Sequence, residues 1–264
     1  LVYGSDELAR LTESFNEMLK SLQESRERQS QLVADAGHEL KTPLTSLRTN
    51  IELLMMASKN PSDTITPDDI ADLEHDVMSQ LEELTNLVTD LVDLAREDSQ
   101  HSVVEPIDLG EILDGVIDRV RRRRLDIKFT FNLIDWYLMG DQRGLSRAFL
   151  NVLDNAAKWS PENGTVTMTM QQIDDDRVEI TVDDEGPGIP ADERELVFER
   201  FYRSVESRAM PGSGLGLAIV KQVMESHGGS VRAEESPRGG TRMVLELPGG
   251  PQITSNNNEA MRIS

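Results

Sequence analysis

The chain contains no cysteine, which excludes disulfides and thiolate-held metals and fits a reducing compartment. Aromatic residues make up only 4%, so a core must rely on Leu, Val, Ile and Met, a composition that favours helical bundles over a β-sandwich. Basic residues are in the minority, 27 against 48 acidic, for a net charge of −21. That balance repels nucleic acid and anionic membrane surfaces, so no direct nucleic-acid binding is expected. No apolar run approaches the roughly 18–20 residues that cross a bilayer, and no signal-peptide pattern is present. The segment is therefore expected to be soluble. It shows no internal repeat. Its 264 residues leave room for about two domains.

Residues 4–32 carry a heptad pattern. Leu8, Leu11, Phe15, Met18, Leu22, Ser25, Gln29, Leu32 and Ala36 step by three and four, the seam of a two-stranded coiled coil interrupted by polar residues at Ser25 and Gln29. The narrow stripe and charged remaining faces favour this over a helix lying on a globular core. The helix continues over 31–57, with Leu40, Leu44, Leu47, Ile51 and Leu54 on one face. Pro61 and Pro67, among several capping residues, break the pattern over 58–69. A second amphipathic helix follows over 67–97, striped by Val77, Leu81, Leu84, Val88, Leu91 and Ala95. These stripes need more burial than one hairpin supplies, and a homodimeric four-helix bundle provides it.

Beyond residue 101 the texture changes. Helical pattern over 108–124 leads to the alternating segment 127–133, a helix over 141–158, and strands over 165–173 and 177–185. A further helix covers 215–227, followed by strands over 230–236 and 241–248. Helices interleaved with strands predict one α/β sandwich. The basic run 119–124 reads as a solvated helix face.

Four segments carry chemistry. In the first, residues 36–48, His38 is followed by Glu39. On an exposed helix face His38 can attack a phosphoryl group through one ring nitrogen, provided that nitrogen is neutral and the other is hydrogen-bonded. Glu39 is placed to accept the second proton as base or orienter. Thr42 follows one turn later on the same face, where its hydroxyl can align a water in the reverse, hydrolytic reaction. Pro43 removes the N–H that the Glu39 carbonyl would take, a plausible hinge. No second histidine stands at i+4, which excludes a zinc-hydrolase helix.

The other three segments outline a nucleotide pocket. In 183–190, Asp184 ends a predicted strand before Gly186 and Gly188; a buried carboxylate there can accept from an exocyclic amine such as adenine N6, and the glycines allow close backbone approach. In 212–220, Gly212, Gly214 and Gly216 open a helix with bare N–H groups suited to phosphate oxygens, although no P-loop Lys-Ser/Thr follows. In 151–161, Asn151, Asn155 and Lys158 share one helical face. Their amide oxygens are hard ligands for Mg²⁺, Lys158 meets phosphates as a point charge, and Trp159 offers a face for a purine. Residues 198–212 read as a mobile lid anchored by Phe198 and Phe201, with Arg200 and Arg203 available to phosphates.

In this order and spacing the segments resemble the cytoplasmic portion of a bacterial sensor histidine kinase of a two-component system. His38 to Leu44 is similar to the family's H box, Asn151 to Lys158 to the N box, Asp184 to Gly188 to the first glycine box, Phe198 to Phe201 to the F box, Gly212 to Gly216 to the second glycine box, and Gly239-Gly240-Thr241 to the last. The resemblance covers about residues 6–248, and its wording is similar to actinobacterial kinases linked to envelope stress. It implies His38 as phosphoacceptor, Glu39 as its base and Thr42 as phosphatase residue. Asp184 would bind adenine, Asn155 magnesium with Asn151 in support, and Lys158 and Arg200 phosphates. It extends the ATP-binding set to Ile189, Leu215, Leu217 and Thr241. Trp159 stands where tyrosine is common.

The implied fold is multidomain. An N-terminal helical coiled coil and a dimeric four-helix bundle, two helices per chain, precede an α/β sandwich ATP-binding domain of the histidine kinase/gyrase superfamily. Residues 1–28 would be a HAMP remnant and signalling helix, 29–100 the dimerisation and histidine phosphotransfer hairpin, 101–250 the catalytic ATP-binding domain, and 251–264 a disordered tail. The HAMP-like stretch is incomplete, with no membrane helix or sensor. The resemblance further implies ATP and Mg²⁺ as cofactors, a homodimer, a response regulator as partner, and a parent protein anchored in the cell membrane. Two rivals stand beside this reading. One is an ATPase of the gyrase, chaperone and mismatch-repair type, which uses a glutamate near the start of the N-box helix, where this chain has Asn151. The other is a non-catalytic dimeric scaffold that binds nucleotide and recruits a partner.

Overall fold

Aliphatic residues at helical spacing and a proline-bearing break together produce a helical hairpin. Helix α1 runs Gly4–Lys59 and α2 runs Pro67–Glu97. The computed structural model describes residues 4–59, 66–97, 104–204 and 212–252, which fall into two units, Leu1–Gln100 and His101–Ser264. The coiled-coil stretch and the bundle helix expected as successive pieces are one helix, and it stays helical through Pro43. Two residues later, Thr45 Oγ1 donates to the Lys41 carbonyl one turn back at 2.8 Å. Helix α2 opens on a reciprocal cap: Asp69 N donates to Thr66 Oγ1 at 3.2 Å, and Thr66 N donates to Asp69 Oδ2 at 2.8 Å.

Within the hairpin Leu47, Ala57 and Leu87 are buried, and Gln80 Nε2 of α2 donates to Ser46 Oγ of α1 at 3.0 Å. The rest of the predicted stripe is only partly covered. Leu44, Ile51, Leu81 and Val88 are exposed, as are Phe15, Met18 and Leu22 of the heptad seam. The side chains of Leu8, Leu11, Ser25, Gln29, Leu32 and Ala95, and the break at 60–65, lie outside the described residues.

The second unit is an α/β sandwich. Strand β1 (Glu105–Asp108) pairs antiparallel with β3 (Tyr137–Gly140). A five-stranded sheet has the order β2 (Lys128–Asn132), β4 (Thr165–Asp174), β5 (Arg177–Asp183), β7 (Thr241–Pro248), β6 (Ser230–Glu235). Among the described residues of this sheet β2–β4 is parallel, and β4–β5, β5–β7 and β6–β7 are antiparallel. Helices α3 (Leu109–Arg123), α4 (Gln142–Trp159) and α5 (Gly216–Ser226) complete it. Helix α4 packs on β4 and β5, α5 on β6 and β7, and α3 on α4. Strand alternation explains the layering: Val166, Met168 and Met170 of β4 and Val178, Ile180 and Val182 of β5 point into the core. They meet Phe149, Val152 and Leu153 of α4 and Ile219 and Val223 of α5 among the buried residues.

Residues 105–108 and 137–140 are too short to show an alternation, so these strands escape a sequence reading. The arginine run does more than face solvent. Arg121 lies 5.0 Å over the Phe131 ring, Arg123 pairs with Asp154 of α4 at 3.3 Å, and Arg124 grips Asp126 through two bonds of 2.9 and 2.7 Å. Burial holds the Asp154 carboxyl above its ordinary value, while Arg123, Arg119 and Arg124 pull it down. The expected tail at 253–264 lies outside the described residues.

His227, just past α5, ties two helices together. Its Nε2 accepts from the Asp141 backbone N–H at 2.9 Å, and its Nδ1 donates to the Val223 carbonyl at 2.7 Å. Asp141 is in turn the N-cap of α4, its side chain accepting from Arg143 N. A Cβ on Gly140 would stand 2.5 Å from the imidazole Cδ2, so Gly140→Ala forces the ring off both partners. We expect a loss of about 1–3 kcal/mol of stability, read as a lower urea midpoint; an unchanged midpoint would show that the ring moves freely.

Candidate active site

Asp184 follows the last residue of β5 and is 3% exposed. Its Oδ1 accepts from the Gly186 and Thr241 backbone N–H groups, both at 2.8 Å, and its own N–H donates to the Thr241 carbonyl at 2.9 Å. The carboxylate is thus fixed between the loop after β5 and the first residue of β7. A Cβ on Gly240 would overlap Asp184, and one on Gly186 would sit 2.8 Å from the Trp159 carbonyl and 3.0 Å from Asp184 Oδ1. The glycines let three backbone segments converge on one carboxylate. Gly188, at φ +79°, lies beside Gly239 and Gly240.

One ion pair and one arginine-to-carbonyl hydrogen bond, with no periodic signal in the sequence, brace this loop. Glu185 accepts from Thr165 N and from Arg238 Nη1, each at 3.0 Å, which ties the β6–β7 turn to it. Arg194 Nε donates to the Ile189 carbonyl at 3.1 Å. Burial raises the Asp184 carboxyl above its ordinary value, opposed by the bonds from Thr241 and Gly186.

The last turns of α4 form the opposite wall. Asn151 Nδ2 donates to the Gly216 carbonyl at 3.2 Å, which fastens α4 to the first turn of α5 and leaves the Asn151 amide oxygen for another partner. Asn155 Oδ1 accepts from the Trp159 indole Nε1 at 3.2 Å. The Lys158 ammonium lies 5.3 Å over the Trp159 ring, and it is the atom that a Cβ on Gly212 would meet, at 3.2 Å. Helix α5 begins without a side-chain cap, so its first-turn N–H groups suit an anion. Leu215 is fully buried, and its N–H donates to Ser213 Oγ at 3.2 Å; Leu217 is half-buried.

At the base of the predicted lid, Phe198 is buried. Phe201 takes a left-handed backbone at φ +62° and its N–H donates to the Gly214 carbonyl at 3.0 Å. Gly214, itself at φ +69°, has no room for a Cβ, which would stand 2.9 Å from the Phe201 carbonyl carbon. The two ends of the loop are therefore pinned backbone to backbone. Arg200 Nη2 reaches Gln222 Oε1 of α5 at 3.5 Å, and Arg203 is half-buried. Residues 205–211 of the lid lie outside the described residues.

In the first unit, His38, Glu39 and Thr42 all lie on α1 and are exposed.

Two family models match the chain. "His Kinase A (phospho-acceptor) domain" covers residues 28–100, and "Histidine kinase-, DNA gyrase B-, and HSP90-like ATPase" covers 140–251. A solved structure, the mycobacterial sensor histidine kinase MprB, is 52% identical with a TM-score of 0.54, over 57% of this chain and 100% of that one. The chain belongs to the sensor histidine kinase family. It is also 59% identical over 259 residues to the signal transduction histidine-protein kinase/phosphatase MprB of Mycobacterium leprae, and 57% over 254 residues to that of Mycobacterium avium. Those alignments cover 96% and 95% of this chain but 50% and 49% of the relatives. The chain thus spans about half the length of the curated relatives it matches.

The donor chemistry of this site fits magnesium bound with a nucleotide. Among the described residues no cluster of three or more His, Cys, Asp or Glu could hold a metal. The oxygens on offer are the amide oxygens of Asn151 and Asn155, which suit a hard cation that takes most of its ligands from phosphates and water.

Asp184 yields a stability prediction. A carboxyl raised by burial favours folding below its unfolded value, and that contribution is lost as pH rises through the folded value. Asp184→Asn keeps an acceptor oxygen for both backbone amides and removes the buried charge. Relative to the parent, the variant should be more stable at neutral pH, with the gain shrinking as pH falls into the carboxylate range. Chemical denaturation at both pH values reads this out. A variant less stable than the parent at neutral pH would show that the bonds to the ionised oxygen outweigh its burial.

Proposed function

We propose that this chain is the ATP-dependent kinase portion of a two-component sensor. It phosphorylates His38 and passes the phosphoryl group to an aspartate of a response regulator, and it also dephosphorylates that regulator. The observation that carries the reading is the buried Asp184 carboxylate, held by two backbone amides at the mouth of a glycine-lined loop. The kinase/phosphatase names of the relatives and the two family models support it.

ATP enters with its base toward Asp184, whose ionised oxygens keep accepting capacity for an exocyclic amine. The phosphates lie along Lys158, Arg200, Arg203 and the N-terminus of α5. Magnesium, when bound, would neutralise the phosphates, and Asn155 and Asn151 would hold it. One imidazole nitrogen of His38 then forms a bond to the γ-phosphorus as the bond to the β,γ-bridging oxygen breaks and ADP leaves. Glu39 takes the proton from the other ring nitrogen. Positioning and charge neutralisation supply the rate. Thr42 orients a water for the reverse, hydrolytic reaction on the phosphorylated regulator. The superfamily ATPase reading is disfavoured by Asn151, an amide that cannot act as a base for water.

The exposed Leu44, Ile51, Leu81 and Val88 are the face that a second copy covers in a four-helix bundle. Sedimentation should give twice the 29.5 kDa chain mass, and Leu81→Asp with Val88→Asp should give a monomer; a parent that sediments as a monomer defeats the dimer reading.

The activity test is incubation with γ-labelled ATP and Mg²⁺. Acid-labile, base-stable label is expected on the parent and absent from His38→Gln, while Thr42→Ala keeps the label and loses regulator dephosphorylation. A parent that binds ATP without taking label favours the scaffold reading.

A further inference from the structure

The sequence places Trp159 as a face for a purine, but the indole is already engaged. Its Nε1–H donates to Asn155 Oδ1 at 3.2 Å, and the Lys158 ammonium lies 5.3 Å over its ring. We propose that Trp159 is a positioning residue for the cation: its N–H fixes the Asn155 amide so that the oxygen, not the NH₂ group, stands ready as a magnesium ligand. The proposal rests on the nucleotide reading above and assigns Trp159 a task beyond contact with the base.

The physical argument is one of selection between two nearly isosteric amide orientations. An Asn side chain rotated by half a turn exchanges an acceptor for a donor, and a donor facing Mg²⁺ or phosphate-bound magnesium repels it. Indole is a donor only, so it bonds solely with the oxygen. A carbonyl oxygen has two lone pairs, and the indole uses one and leaves the other for the cation. The spacing makes the contact local, because residues four apart stack on one helical face, so the amide is oriented before any nucleotide arrives. Lys158 covers one face of the ring, and the Trp159 backbone is held close to the Asp184 loop, where a Cβ on Gly186 would stand 2.8 Å from its carbonyl oxygen. One residue therefore touches both the loop that carries Asp184 and the amide that meets the cation.

The test separates base contact from cation positioning. Calorimetry on the full chain gives Kd for AMPPNP with Mg²⁺ and with EDTA, and the ratio of the two is the gain due to the cation. Trp159→Phe keeps an aromatic face and removes the donor. Circular dichroism should show that the variant folds, and its gain from Mg²⁺ should fall about tenfold whatever its affinity in EDTA, the lower end for loss of a group that orients a metal ligand. In an Asn155→Ala background, Trp159→Phe should change the gain no further, because the amide it orients is gone. An unchanged gain in Trp159→Phe overturns the proposal, as does an effect that persists without Asn155. Equal weakening in both media also overturns it, since that is the signature of base stacking alone. A parent that binds no AMPPNP in either medium counts instead against the nucleotide reading.

Discussion

Taking a carboxylate out of water costs several kcal/mol unless its oxygens are paired. Asp184 is 3% exposed all the same, and the loop architecture around it follows from how it is paired. Its two backbone donors come from chain segments far apart in sequence, Gly186 after β5 and Thr241 at the start of β7. Both can reach one oxygen only because Gly186 and Gly240 have no side chain to keep the segments apart. The same crowding brings the end of α4 against the loop, through the Trp159 carbonyl. The Asp184 loop and the end of α4 are thus parts of one packing problem, and the buried charge is the reason it has to be solved with backbone amides.

Much of this was legible in the residues. Period-3.6 stripes gave α1 and α2, and alternation gave β4, β5 and β7, because both patterns are long enough to stand out from chance. The glycine clusters marked the places where backbones approach closely, at Gly186, Gly214 and Gly240, and the proposed nucleotide site rests on them together with the Asn151, Asn155 and Lys158 face. Strands β1 and β3 were not legible: four residues each carry no measurable alternation, and their pairing is decided by tertiary packing. Nor were the bonds from Arg194, Arg238 and His227, which join positions that nothing local relates. Trp159 shows a different kind of gap. Its aromatic face suggested a purine, while the indole N–H and its partner became visible only once rotamers were in place.

In the proposed reaction the two units divide the chemistry between them. The hairpin offers a nucleophile on an exposed helical surface, where an imidazole needs little from its surroundings except an orienting neighbour. The sandwich supplies the buried charge, tight turns and helix terminus that a polyphosphate requires. Each follows from its core. A two-helix unit with Leu47, Ala57 and Leu87 buried has little interior to hide a charge in, whereas a sheet covered by three helices has enough.

The chain has two tryptophans, and the fold gives them opposite optical environments. Trp136 is fully buried, with its Nε1 donating to the Pro248 carbonyl at 3.4 Å; Trp159 is half-buried at the end of α4 beneath a lysine ammonium. Ultraviolet emission therefore contains its own reference. The blue-shifted component from Trp136 reports whether the sandwich is folded, and the red-edge component from Trp159 reports events at the site, so the unlabelled protein can be followed in solution by its own light.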